Sequence, residues 1–317
     1  MAATMLRRAL YGFAMGDAFG VPYEFKARDT YEVKSEMVGY QTHFQPAGTW
    51  SDDTSLTLAT INALFEPYEL VNVMDNFVSY LDDAAFTPYQ DVFDVGIGTR
   101  EAILTYKETH EVIPFKADDD MNNGNGALMR IWPVAFYDFT ADLTLEDVID
   151  QLTGLTHGHR RARLASRFFV YLLRMMPRVK NIERALEMAI RRSNRTAMET
   201  ATLETEDLGW LAVTDSQSAQ DVIAAIKRWS RTEVPSTGYV VDTLKAVLWT
   251  LLHTTSYQEA VMMAAGLGED TDTIAALVGV IASFAYDEFP ETWFDALGAK
   301  DKIERELILA DESGKFA

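Results

Sequence analysis

Two short runs of aspartate, serine and threonine carry the densest chemistry in the chain. One is Asp270-Thr271-Asp272-Thr273, which follows Gly268-Glu269 and precedes the apolar run Ile274 to Phe284. The other is Ser51-Asp52-Asp53-Thr54, which follows Gly48-Thr49-Trp50. Each run is rich in acceptors and repels itself unless positive charge sits nearby. Carboxylate and hydroxyl oxygens suit hard divalent cations such as Mg²⁺, Mn²⁺ or Ca²⁺, not zinc. Two such clusters facing one another would hold one or two octahedral cations, about 3.5–4 Å apart where there are two. The competing reading is plainer. Asp, Ser and Thr are good N-caps, and an acidic first turn suits the helix dipole, so both runs also read as unrelated caps.

Three further features offer chemistry. In Asn122-Asn123-Gly124-Asn125-Gly126 the glycines would let backbone N–H groups approach a phosphate, and the helix after them would favour an anion. Arg130 lies about one turn into that helix. The spacing fits neither a Walker loop nor a dinucleotide fingerprint, so a plain Asn/Gly turn stays open. His157 and His159 precede Arg160-Arg161. At i, i+2 they do not share a helical face, and each reads equally as a phosphate contact or a structural histidine. Glu24, in Val21-Pro22-Tyr23-Glu24-Phe25, is a lone acid among apolar neighbours. Buried, it would carry a raised pKa and serve as a general acid; in an open loop it would simply be solvated.

The elements that must position these residues read as helices throughout. Leu6, Ala9, Leu10, Phe13 and Ala14 recur at helical spacing, and Gly16-Asp17 is expected to end that run. Residues 20–50 form a long loop punctuated by Pro22, Gly39, Pro46 and Gly48. Helices are expected over 53–65, 69–82, 93–107, 127–136, 160–176, 181–193, 218–230, 239–253 and 257–266. Others follow the second acidic run and cover 288–298 and 301–310. Thr144-Leu145-Glu146-Asp147 and Ser256-Tyr257-Gln258-Glu259 read as capping boxes. No strand-like alternation persists beyond about five residues. With short linkers and no internal repeat, residues 1–317 are expected to form one all-α domain, a compact multi-helix orthogonal bundle.

Composition bounds the function. The 317 residues hold 28 basic and 48 acidic side chains, a formal charge of −20. That leaves no cationic surplus for general nucleic-acid binding. There are no cysteines, which excludes disulfides, thiolate metal sites and a Cys nucleophile. No uncharged apolar stretch reaches the roughly 18 residues needed to cross a bilayer. A cytoplasmic monomer without membrane association is the expectation.

Taken in order, several segments resemble one family. They are Gly16-Asp17-Ala18-Phe19-Gly20, Gly48 to Thr54, Gly124-Asn125-Gly126-Ala127-Leu128-Met129-Arg130, Thr156-His157, Thr237 to Leu244 and Asp270 to Thr273. From about residue 8 to 285 the chain resembles the ADP-ribosylglycohydrolases. The resemblance implies an all-α fold with a binuclear Mg²⁺ or Mn²⁺ centre at the base of a cleft. Ser51, Asp52, Asp53, Asp270, Asp272 and Thr273 would be the ligands. Asn122 to Gly126 would cradle the diphosphate or distal ribose, with His157 and Tyr239 lining the cleft. The implied reaction removes ADP-ribose from a modified macromolecule, most naturally an ADP-ribosyl-arginine protein, at the C1″ glycosidic bond. Asp52 or Asp53 would position the water, and Glu24 would protonate the leaving group or move aside as a gate. The alternative from another class is an ADP-ribose-binding or immunity protein that neutralises an ADP-ribosylating toxin. Glu269 and Ala275 depart from the glycines common in the family, without removing a ligand.

Overall fold

A computed structural model describes residues 2–65, 67–139, 142–200, 208–213 and 217–316, with side chains except those of 2–4 and 197–200. Among these the regular structure is helical, broken only by isolated bridges between Gly124 and Tyr239 and between Tyr137 and Phe316. The α-helices are α1 (Ala2–Gly20), α2 (Asp52–Ala63), α3 (Leu70–Asp83), α4 (Ile97–Thr109), α5 (Leu128–Ile131), α6 (Leu145–Gly154) and α7 (Arg160–Val179). They continue with α8 (Ile182–Thr200), α9 (Ala219–Arg228), α10 (Val240–Leu252), α11 (Tyr257–Ala265), α12 (Thr271–Ala285), α13 (Glu291–Ala296) and α14 (Lys300–Ser313). None is long and apolar enough to cross a membrane.

The core is built on α1 against α12. Every residue of α12 from Thr271 to Phe284 is buried, as expected of a helix apolar on all sides. Gly12, Gly16 and Gly20 recur every fourth residue and form the face of α1 that meets α12. A Cβ added at Gly16 would stand 2.2 Å from the Ala275 carbonyl oxygen, and one at Gly20 would stand 2.4 Å from the Asp272 Cα. These glycines permit backbone contact between two helices; they do not stop the helix. The expected end at Gly16-Asp17 is therefore corrected, because α1 runs on to Gly20 and carries Asp17 within its last turn.

Other details differ from the sequence pattern, among them α8, which runs on to Thr200 past the expected end at residue 193. The helix expected from residue 93 begins at Ile97, which leaves residues 93–96 as loop. Residues 127–136 divide into the single turn α5 and a 3-10 segment, Trp132–Phe136, because Pro133 lacks the N–H that would continue the α pattern. Of the two capping boxes, Thr144 with Asp147 is reciprocal. At Ser256 only half forms: its hydroxyl accepts from the Glu259 N–H, while the Glu259 carboxylate turns to the Thr255 N–H at 2.7 Å.

Candidate metal centre and cleft

The two acidic runs meet at helix starts, and at α2 the capping is done by Ser51 and Asp17, not by Asp52 or Asp53. Asp17, fully buried in α1, accepts from the Ser51 N–H (2.9 Å), the Thr54 N–H (3.0 Å) and the Thr54 hydroxyl (2.6 Å). Burial pushes its carboxyl up to about 6, against the pull of these donors. Ser51 is the N-cap of α2, its Oγ accepting from the Asp53 N–H at 3.2 Å. Asp17 and Ser51 thus satisfy the start of α2 and leave the carboxylates of Asp52 and Asp53 for other work. At the start of α12, Asp270 occupies the N-cap position without a side-chain capping bond. The Thr273 hydroxyl donates to Asp53 Oδ2 at 3.1 Å, so the clusters are in direct contact despite their separation in sequence.

Around this contact the carboxylates crowd. Glu24, Asp270 and Asp272 each offer an oxygen within 4.8 Å of the others, and carboxylate oxygens of Glu24 and Asp94 with a ring nitrogen of His43 form a second group of the same size. Glu24 is buried at 4% exposure, so the solvated reading does not hold. Burial, then the charges of Asp94 and Asp270, push its carboxyl up to about 12. Burial also holds Asp52, Asp53 and Asp272 well above the usual carboxylate range, with neighbouring aspartates adding to the shift. Among the described residues, Asp53 Oδ1 and Asp272 Oδ2 are buried with no hydrogen-bond donor. Removing a carboxylate oxygen from water without compensation is costly. A cation between the clusters would compensate both, and the oxygen-only donor set fits Mg²⁺ or Mn²⁺.

A cleft of about 690 Å³ opens above these acids. Glu24, Asp52, Asp270 and Thr273 line it, together with Asn122, Gly124, Asn125, Gly126 and His157. Ser51, Asp53 and Asp272 lie beneath the surface of the cleft and do not line it. The Asn122–Gly126 loop is held in shape by a short strand-like pairing: Asn125 N–H donates to the Gly238 carbonyl and Val240 N–H to the Asn123 carbonyl, both at 2.9 Å. The Asn125 amide reaches Thr243 Oγ1 at 2.9 Å and also the Asp270 carboxylate, tying the loop to the start of α12. A Cβ at Gly126 would press on Thr99 Oγ1 at 2.7 Å and His157 Cε1 at 3.0 Å, so this glycine is needed for space.

Two expected cleft residues stand elsewhere. The Tyr239 backbone pairs with Gly124, but its ring is not part of the cleft lining and has the Arg161 guanidinium 5.9 Å from its centroid. Asn123 is buried behind the loop with its Oδ1 2.9 Å from His159 Nδ1. His159 is the N-cap of α7 and also meets Asp120 at 3.1 Å. Of the acids before the loop, Asp119 lines the cleft.

The structure adds residues that the sequence reading did not single out. Asp94 comes from the loop before α4, in a left-handed conformation (φ 58°), and its carboxyl is raised first by burial. His43 touches the Glu24 carboxylate and packs against the rings of Phe25 and Phe93. Neither had a spacing signal, since each is one polar residue in an irregular stretch.

A family model described as ADP-ribosylglycohydrolase matches residues 3–316. ADP-ribosylarginine hydrolase Tri1 of Serratia proteamaculans (strain 568) is 27% identical over 300 residues, which cover 93% of this chain and 75% of the relative. ADP-ribosyl-(dinitrogen reductase) glycohydrolase of Rhodospirillum rubrum is 24% identical over 307 residues, 94% of this chain and 91% of the relative. A solved structure described as an ADP-ribosylglycohydrolase-related protein complex superposes with a TM-score of 0.75 at 26% identity, covering 98% of each chain. With the all-helical fold and nearly the full length accounted for, the chain belongs to the ADP-ribosylglycohydrolase family of glycosidase-type hydrolases.

Proposed function

We propose that the protein is a metal-dependent hydrolase that removes ADP-ribose from ADP-ribosyl-arginine on a modified protein, acting as one domain over residues 1–317 and as a cytoplasmic monomer. The observation that carries the metal is the pair of buried oxygens, Asp53 Oδ1 and Asp272 Oδ2, that have no donor among the described residues at the contact between the clusters. The arginine linkage is supported by the relative named ADP-ribosylarginine hydrolase. Ser51, Asp52, Asp53, Asp270, Asp272 and Thr273 would hold two Mg²⁺ or Mn²⁺. When bound, these ions supply Lewis acidity and acidify water.

The chain's own residues do the rest. Asp52 lines the cleft and, with Asp53 beneath it, orients a water toward C1″. The carboxylates gathered there stabilise positive charge that develops at the anomeric carbon. Burial raises the Glu24 carboxyl above its ordinary value, the direction a proton donor needs. Glu24 is placed at the cleft wall to give a proton to the departing guanidino nitrogen as the C1″–N bond breaks. Asn122, Gly124, Asn125 and Gly126 cradle the diphosphate or distal ribose, with His157 beside them in the cleft wall. The test is release of free ADP-ribose from arginine-, serine- and nucleic-acid-linked substrates, with Mg²⁺, Mn²⁺ or excess chelator. Release from the arginine linkage that stops in chelator is expected. An undiminished rate in chelator sinks the metal mechanism, and no release from any substrate leaves a binding module in its place.

A further inference from the structure

The cleft is short of cations. Lys116 is the single Lys or Arg among the lining residues, and it is already paired with Glu101 at 2.6 Å. Glu24, Asp52, Asp94, Asp119, Glu269 and Asp270 also face the cleft. An anionic ligand entering such a cleft depends on fixed N–H donors, so the direction in which His157 points its hydrogen decides whether it attracts or repels a phosphate oxygen.

Behind His157 a buried chain of donors settles that direction. Arg130 is fully buried, and the ring centroid of Phe77 lies 4.7 Å from its guanidinium carbon. Its Nη2 donates to the Leu152 carbonyl (3.1 Å) and to Thr156 Oγ1 (2.8 Å). A guanidinium only donates, so the Thr156 oxygen is the acceptor of that bond. The same hydroxyl lies 2.9 Å from His157 Nδ1, and among the described residues it has no other partner. The oxygen has a second lone pair, but accepting from Nδ1 as well would leave its own hydrogen buried without an acceptor among the described residues; the arrangement that pairs every group sends that hydrogen to a bare Nδ1 and puts the ring hydrogen on Nε2. Nε2 has no protein acceptor among the described residues; it faces the space left by glycines, 3.3 Å from a Cβ built at Gly98 or Gly124.

We propose that Arg130 and Thr156 are positioning residues that lock His157 in the Nε2–H tautomer, making it a fixed donor to a phosphate oxygen of the ligand. The ligand in this statement rests on the ADP-ribose reading; the tautomer does not. Arg130 also opposes protonation. Burial first, and then the Arg130 charge, hold the imidazole down to about 3, so it stays neutral across the working range.

Long-range ¹H–¹⁵N correlation spectra of the ligand-free protein at neutral pH, with His157 assigned by its loss in His157→Asn, read the tautomer directly. A bare Nδ1 and a protonated Nε2 are expected. An Nδ1–H tautomer or an imidazolium overturns the proposal, whatever any variant does. Thr156→Val keeps the shape and removes the relay. It should mix the two tautomers and weaken ADP binding about tenfold, the worth of one hydrogen bond to a charged group. Adenosine, which has no phosphate, should bind within about twofold of the parent, and Thr156→Ser should restore both readouts. Equal losses for ADP and adenosine, or failure of serine to rescue, refute a positioning role. If the wild-type tautomer is as stated but ADP and ADP-ribose do not bind, the ligand reading fails and the tautomer assignment stands.

Discussion

Asp272 divides its two oxygens between jobs that a substitution can separate. Oδ1 accepts from the Thr273 N–H at 2.9 Å, while Oδ2 is buried with no hydrogen-bond donor among the described residues. In Asp272→Asn the first bond can survive, but an NH₂ group or a neutral oxygen replaces the anionic acceptor. Mn²⁺ affinity by titration calorimetry should fall at least about 100-fold, since outer-shell changes alone cost about 10–100-fold. Hydrolysis should fall with it; unchanged Mn²⁺ affinity would sink the ligand assignment, and retained activity in a variant that no longer binds Mn²⁺ would sink the metal mechanism. Asp17→Asn tests the opposite kind of acid. Its carboxylate takes three donors and holds the start of α2, so the amide must turn an N–H against one of them. The loss is expected at about 2 kcal/mol in urea unfolding, the scale of buried hydrogen bonds to a charged group. An unchanged midpoint would show that Asp17 is not the brace of α2. These residues also show what the sequence could reveal. Acceptor density exposed Ser51 to Thr54 and Asp270 to Thr273, because crowded like charges need an explanation wherever they occur. Asp94 and His43 gave no such sign, for they join the site only through the folding of two irregular loops.

The helices were legible wherever an apolar stripe faced the core, and least legible where backbone packs on backbone. Gly16 is the clearest case. Glycine before aspartate reads as a helix stop on propensity, yet here it lies 2.2 Å (as a built Cβ) from a carbonyl of α12. Close packing between distant helices leaves no local pattern, so single-chain spacing could not separate the two meanings. The same contact sets the site, because α1 delivers Asp17 to α2 while it fixes the start of α12. Gly16→Ala must therefore push α1 and α12 apart. A cost of about 1–3 kcal/mol is expected from overpacking, together with weaker Mn²⁺ binding because Asp53 and Thr273 separate. Gly209→Ala is the control, since among the described residues a Cβ there meets nothing within 4 Å. Its effect should stay within about 0.5 kcal/mol. Equal stability of the two variants would mean that the α1–α12 contact relaxes freely and does not set the cluster geometry.

At the scale of the molecule, the formal charge of −20 and the buried acids act in the same direction. Asp17, Glu24, Asp52, Asp53, Asp94, Asp270 and Asp272 all have carboxyls raised above their ordinary values, with burial as the first cause. A raised acid binds its proton more tightly in the folded chain than in the unfolded one. Its contribution to stability is complete below the ordinary carboxylate range and is lost as pH rises toward the folded value. The metal-free protein should therefore melt lower at pH 8 than at pH 5, the seven acids outweighing the opposite pull of His157, which folding holds neutral. Mn²⁺ or Mg²⁺ reverses the trend, because cations replace those protons and bind best where the carboxylates ionise most readily. A metal present at about 100 times its dissociation constant stabilises by about 2.7 kcal/mol, so the rise in melting temperature on metal addition should be larger at pH 8 than at pH 5. Differential scanning calorimetry at both pH values, with Mn²⁺ or with chelator, measures the four points required. A metal increment that is absent, or no larger at pH 8, would show that protons rather than cations are what keep these carboxylates together in the working protein.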